Sequence, residues 1–394
     1  MSSLIADRTK NVKPSATLAI AARAAELKAD GVDIVSLSTG EPDFDTPQNI
    51  KDAAVRAIHD GKTKYTPVDG TPDLKKAIIE KFKRENQLNY EMNEVIASTG
   101  AKQSIYNLCQ AILNPHDEVI IPAPYWVSYP EMTVLAGAKN IIIDTDIHDD
   151  FKITAEQLEK AITEKTKLLF LNSPSNPSGA AYSSAELKAL ADVLLRAPQV
   201  MIITDDIYEH IYWGKEPFQN IANVCPELKD RTIVVNGVSK AYAMTGWRIG
   251  FAAGPAEIIG VMKKIQSQST SNTCSIAQAA AVEALNGTQT SVEKMCLAFK
   301  ERHDFVLEAM NQIDGLQMRP CEGTFYSYFN ANEVIKKLNL PSDIEFAEFL
   351  LNEAQLALVP GTAFGTPGYL RLSYAASMET LQTAIQRIRS AIHG

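Results

Sequence analysis

The sequence predicts an α/β protein: a large domain with a mostly parallel, seven-stranded sheet flanked by helices, joined to a small α+β domain. Three observations carry this. Between about residues 95 and 255, seven short β-branched runs alternate with helical patterns, the pattern of a parallel sheet covered by helices. The chain has 394 residues and is 45% hydrophobic, enough for two domains sharing an interface. From Ser291 to Ile313 one long helical pattern, with Val292, Met295, Cys296, Phe299, Phe305, Val306, Met310 and Ile313 as its apolar positions, leaves the sheet region and enters the C-terminal part of the chain.

The elements come in this order. "PSATLAIAARAAELKADG" reads as a first helix ended by Gly31 and packed on the small domain. The seven runs are "NEVIAS", "DEVIIP", "NIIIDT", "KLLFLN", "VMIIT", "TIVVNG" and "RIGFAAG". Between the first two, Ile105, Leu108, Cys109, Ile112 and Leu113 make "KQSIYNLCQAIL" an amphipathic helix. The remainder mixes the strands "FYSYF", "LALVPG" and "YLRLSYA" with the helices "DIEFAEFLLNEA" and "METLQTAIQRIRSAI". The expected boundaries are 46–290 for the large domain, and 1–45 with 291–394 for the small one.

Composition narrows the function. A net charge of −9 argues against a nucleic-acid partner, so an acidic ligand must be met by local cations. Five cysteines without a C-x-x-C pair read as reduced, structural thiols. The N-terminus lacks an apolar signal core, and no run of about 18 apolar residues occurs. The expectation is a cytoplasmic protein with no membrane partner. No G-x-G-x-x-G supports a nicotinamide dehydrogenase, and six scattered histidines without H-E-x-x-H give no reason to expect a metal.

The informative residues stand where open α/β sheets bind ligands, at the carboxyl ends of the predicted parallel strands. Gly100, Ala101 and Lys102 open a helix after "VIAS", a start whose N–H groups suit a phosphate. Trp126 follows "VIIP", Asn176 follows "LLFLN", Asp205 and Tyr208 follow "MIIT", and Ser239 and Lys240 follow "TIVV", with Arg248 eight residues beyond. One ligand explains them together: pyridoxal 5′-phosphate. Lys240 can form the Schiff base, an amine whose pKa burial and neighbouring cations lower. Asp205 can keep the ring nitrogen protonated. Asn176 and Tyr208 can donate to the phenolic oxygen, Arg248 and the Gly100 loop can bind phosphate, and Trp126 can stack on the ring.

These residues carry a resemblance that spans nearly the whole chain, through "KPSAT", "TGEPDFDTP", "KTKYTP", "PYWVSYPEM", "NSPSNPSG", "TDDIYEH", "NGVSKAYAMTGWRIG" and "YLRLSYA". The chain resembles class I pyridoxal-phosphate aminotransferases of fold type I, especially the bacterial aspartate aminotransferases. The resemblance implies a homodimer with shared active sites and ping-pong transamination of amino acids and 2-oxo acids. It also implies that Arg371 binds the substrate α-carboxylate, that Gly40 adds a backbone contact, and that Tyr65 reaches the phosphate in the neighbouring subunit. Arg371 is also suited by its strand: Leu370 and Leu372 face one side, Arg371 and Ser373 the other.

For the distal carboxylate of aspartate, the bacterial subgroup uses a lysine and two hydroxyls at the positions of Lys102, Ser15 and Thr17. Lys102 and the hydroxyls are also readable as a solvated first-turn cation and helix caps. One departure is Gly237, where animal-type enzymes carry a phosphate-binding serine, a role that Ser239 partly takes over. The leading expectation is transfer from aspartate to 2-oxoglutarate. Prephenate or aromatic transamination is the nearest variant, and a carbon–sulfur β-lyase a more distant one.

Overall fold

A computed structural model describes residues 4–393. Seven strands form the main sheet: β1 (Val95–Ser98), β2 (Glu118–Pro122), β3 (Lys139–Ile143), β4 (Thr166–Asn172), β5 (Met201–Asp205), β6 (Thr232–Gly237) and β7 (Gly250–Ala253). Their order is β1-β7-β6-β5-β4-β2-β3. β7 runs antiparallel to both neighbours and the other pairings are parallel. The expected α/β class and mostly parallel seven-stranded sheet are therefore what the chain forms. The middles of the central strands are apolar on both sides because helices cover both faces. Val119, Ile121, Leu168 and Phe170 pack on one face with Ile105, Leu108 and Met262. Ile120, Leu169, Leu171 and Ile202 pack on the other with Leu187, Leu190 and Leu194.

The Thr290–Asn311 helix leads to a second, antiparallel sheet built on β8 (Tyr326–Asn330) and β9 (Tyr369–Ser373). Phe299, Val306 and Met310 of that helix share a core with Phe329, Leu370 and Leu372 and with Phe346, Leu381 and Ile388 of the last two long helices. The N-terminal helix spans Ala16–Ala29, and Gly31 lies just beyond it with φ +87°. The single strand expected at "LALVPG" divides: Leu356–Ala357 pairs with Val35–Ser36, whereas Val359–Pro360 pairs with β9. The short run therefore serves two sheets, dividing at Leu358. All five cysteines are free thiols. Among the described residues no helix is long and apolar enough to cross a membrane.

Candidate active site

The carboxyl ends of β1, β2, β4, β5 and β6 converge on a cavity of about 380 Å3, within the usual range for small-ligand sites. Parallel register places the ends side by side: Asn172, closing β4, stands opposite Asp205, closing β5. Two residues past β6, the chain turns into the loop that carries Ser239 and Lys240. The Lys240 ammonium donates to the Gly40 carbonyl at 2.6 Å. Burial, and then the nearby Arg371 charge, pull its pKa down from 10.5 to about 8.

Asp205 is 5% exposed. Its Oδ2 accepts a hydrogen bond from the Tyr129 hydroxyl at 2.6 Å, and its Oδ1 is buried without a hydrogen-bond partner among the described residues. Burial pushes the carboxyl up to about 6 against that hydrogen bond. Beside it, the Tyr208 and Tyr326 hydroxyls lie 3.0 Å apart, and burial holds the Tyr208 phenol far above its ordinary pKa.

At the end of β1, Gly100 adopts φ +83° and precedes the Ala101–Ile112 helix. A Cβ there would stand 2.1 Å from Arg248 Nη2, so glycine is what allows the guanidinium to lie against the helix start. Arg248 is held by the Thr245 carbonyl at 2.8 Å. A guanidinium over the free N–H groups of a helix start is a cradle for a dianion. The space at Gly237 accounts for the missing serine. A Cβ there would lie 3.0 Å from the Gly250 Cα and from the Ile249 carbonyl, so a larger side chain would have to move β7.

Arg371 projects from β9 and is 2% exposed. It donates to Asn176 Oδ1 at 2.9 Å and to the Ser38 carbonyl at 2.7 Å. Its guanidinium stacks over Tyr326 at 4.3 Å, and its Nε has no hydrogen-bond partner among the described residues. Lys102 places its ammonium 4.9 Å from the Trp126 ring centre, and burial and the Arg248 charge lower its pKa. Thr17 lines the cavity. Ser15 does not, but its hydroxyl lies 2.9 Å from that of Thr17 and makes no capping bond to the helix it precedes. Gly100 is not among the lining residues but lies against the Arg248 guanidinium, which is. Tyr65 is 90% exposed and lies outside the cavity.

Residues 32–388 match the family model of the class I and II aminotransferases. The chain belongs to this family. It is 54% identical over 394 residues to an aspartate/prephenate aminotransferase of Nitrosomonas europaea, an alignment covering 98% of this chain and 99% of that protein. The aspartate aminotransferase of Rhizobium meliloti superposes with a TM-score of 0.95 at 48% identity, over 99% of both chains. That of Thermus thermophilus with maleate superposes with 0.94 at 43%, over 99% of this chain and all of that one. The protein is thus an aminotransferase of fold type I, similar to the bacterial aspartate enzymes.

Tyr129, Asn172, Tyr326 and Ser38 do not stand out in the sequence, although all four line the aminotransferase cavity. Asn172 gives its amide to the Asp205 carbonyl at 2.7 Å and accepts the Asn176 N–H at 2.8 Å. The one available signal is spacing: Tyr129 follows Trp126 by three residues, close to one helical turn.

The donor set fits pyridoxal phosphate. Asp205 Oδ1 is an unpaired buried acceptor, the complement of a protonated ring nitrogen. The Gly100 and Arg248 cradle suits its phosphate, and Lys240 offers an amine that is half neutral at about pH 8.

Proposed function

We propose that the chain binds pyridoxal 5′-phosphate and transfers the amino group of aspartate to 2-oxoglutarate by a ping-pong mechanism. One observation carries the reading: Lys240, Asp205 and Arg371 share one cavity, and Asp205 Oδ1 and Arg371 Nε have no hydrogen-bond partner among the described residues. Unpaired buried polar atoms are costly, and a ligand with a cationic ring nitrogen and a carboxylate relieves both. When bound, pyridoxal phosphate supplies an aldehyde that condenses with amines and a protonated ring that accepts an electron pair from the substrate.

In this reading Arg248, Ser239 and the N–H groups of Ala101 and Lys102 hold the phosphate, while Gly100, whose own N–H goes to the Ser98 carbonyl, leaves room for the guanidinium. Trp126 covers the ring, Asn176 and Tyr208 donate to its phenolic oxygen, and Asp205 keeps its nitrogen protonated. Lys240 is the resident amine and, once free, moves the proton at the substrate Cα; a pKa of about 8 suits a group that must take and return it. Arg371 binds the α-carboxylate in fork geometry, with Gly40 beside it. Lys102 and Thr17, the latter supported by Ser15, meet the distal carboxylate. Tyr65 is left to serve the phosphate of a second copy in a homodimer, which its exposure favours. The core shared by the Thr290–Asn311 helix and the β8–β9 sheet supports residues 1–45 and 291–394 as a small domain beside 46–290.

A second reading makes prephenate an acceptor, because relatives that are 54% and 51% identical carry the name aspartate/prephenate aminotransferase. The test adds L-aspartate or L-alanine to the loaded protein and follows the cofactor absorbance. Aspartate is expected to convert the cofactor fully to its amine form, and failure to do so refutes the aspartate assignment. Returning that form with 2-oxoglutarate or with prephenate then ranks the acceptors.

A further inference from the structure

We propose that Tyr129 is a positioning residue for the reaction: by donating to one oxygen of Asp205 it fixes the carboxylate so that the other oxygen meets the ring nitrogen of bound pyridoxal phosphate. The inference rests on the role given to Asp205 under the proposed function.

Tyr129 stands in the first turn of the Ser128–Leu135 helix and is 2% exposed. Its ring stacks on Phe170, with centroids 4.5 Å apart and planes at 30°, and meets Trp126 edge-on at 5.3 Å. Two aromatic neighbours therefore hold the ring, and its one hydroxyl proton goes to Asp205 Oδ2. A carboxylate turns about a single bond with a broad torsional preference, so engaging one oxygen decides where the other points. Burial and the Asp205 charge keep the Tyr129 phenol far above its ordinary pKa, so it stays a donor throughout the working pH range.

Among the described residues no other side chain around Asp205 is free to take over. Lys240 gives its ammonium to the Gly40 carbonyl, and the Tyr208 hydroxyl pairs with that of Tyr326. Asn172 addresses the Asp205 backbone carbonyl rather than its carboxylate. Asp206, the adjacent acid, is engaged by Thr204 and Asn220. Without Tyr129 the carboxylate retains only the Ile207 backbone N–H and the more distant Lys240 charge, in a site where burial already favours its neutral form. A neutral, reorientable Asp205 would no longer hold a proton on the ring nitrogen.

The test uses full-length protein loaded with pyridoxal phosphate carrying 15N in the ring, whose shift separates protonated from unprotonated nitrogen. Tyr129→Phe keeps the packed ring and removes the hydroxyl. It is expected to lower the pH at which the nitrogen loses its proton by about one unit or more. It should also reduce kcat about 10- to 100-fold, the worth of a hydrogen bond to a charged group, with little change in KM for aspartate. A fluorinated tyrosine at position 129, whose more acidic phenol donates more strongly, is expected to move the titration the other way. It decides the matter if Tyr129→Phe does not fold. A 15N titration that neither substitution moves overturns the proposal. A parent protein whose ring nitrogen is unprotonated at every pH refutes the role of Asp205 itself, which distinguishes the two failures.

Discussion

Two groups of buried charge lie close together in the sequence and differ in what they leave unpaired. Asp205 and Tyr208 face the cavity, whereas Asp206, Glu209 and His210 belong to an ionic cluster beyond it. In that cluster Lys81, 1% exposed, forms a close ion pair with Glu209 and donates to Asn86 Oδ1 at 2.7 Å. The Asn86 amide returns to Glu209 at 2.9 Å, and His210 Nε2 lies 3.0 Å from Glu85. Glu85, Glu209 and His210 have the spacing of a metal site, but the Lys81 ammonium already supplies the cation. The cluster is closed and the cavity is open. Glu209 Oε1 makes no hydrogen bond but is neutralised by the Lys81 ammonium, whereas Asp205 Oδ1 stands beside an open cavity, so buried charge marks a functional site in this fold only where a cavity adjoins it.

The largest expected effect is on the open side. Lys240→Ala removes the resident amine and the proton carrier together, and should cost about 10^4-fold or more in kcat without lowering the thermal midpoint. A related experiment reads the parent. The folded pKa of Lys240 is lowered, so the neutral amine needed for cofactor uptake grows as pH rises through about 8. The reconstitution rate should fall about tenfold per unit below that pH. A midpoint near 10.5 would mean that the site does not desolvate the amine.

The closed side breaks differently. Lys81→Met strands the Glu209 carboxylate, which burial pushes up but Lys81 holds below its ordinary pKa, and should cost about 3–5 kcal/mol of stability in urea unfolding. Adding Glu209→Leu should recover most of that loss, because an apolar pair replaces a buried ion pair. Glu85 adds a pH signature. Its folded pKa is depressed from 4.5 to about 2, so its contribution is fully present above pH 4.5 and is lost as pH falls toward 2. On the open side, Arg371→Leu should lower kcat/KM for aspartate by about 10^2- to 10^3-fold, the cost of removing one partner of a buried charge pair.

How much of this is legible in the sequence divides along the same line. The seven strands and most cavity residues can be read because each lies just past an apolar run, where position along one strand suffices. Arg371 can be read from the alternation of β9. The Tyr129 to Asp205 bond joins residues 76 apart, and a tyrosine among apolar neighbours in a helix looks the same whether its hydroxyl is used or not. The Asn86 to Glu209 bond spans 123 residues, and Lys81 lies in a helix rich in lysine and glutamate, where a solvated face is the ordinary expectation. Strand-end chemistry is written locally, but partnership across the fold is not.

The smallest expected effect tests how far the open site extends. Lys102 is exposed, yet its ammonium lies over the Trp126 face and its pKa is lowered by desolvation and by Arg248, so it carries a partial desolvation that a fully solvated lysine does not. A carboxylate within reach would offset that cost, with a gain of about 1–2 kcal/mol for a partly solvated pair. Lys102→Ala should accordingly lower kcat/KM for aspartate about tenfold and leave L-alanine, which has no distal carboxylate, unchanged. Because Lys102 also opens the helix proposed to hold the phosphate, cofactor affinity must be measured alongside. An equal loss on both amino acids with weakened cofactor binding would assign Lys102 to the phosphate and leave the distal carboxylate to Thr17 and Ser15. A selective loss on aspartate places the outer limit of the open site at the Lys102 ammonium, on a residue whose backbone belongs to the phosphate cradle.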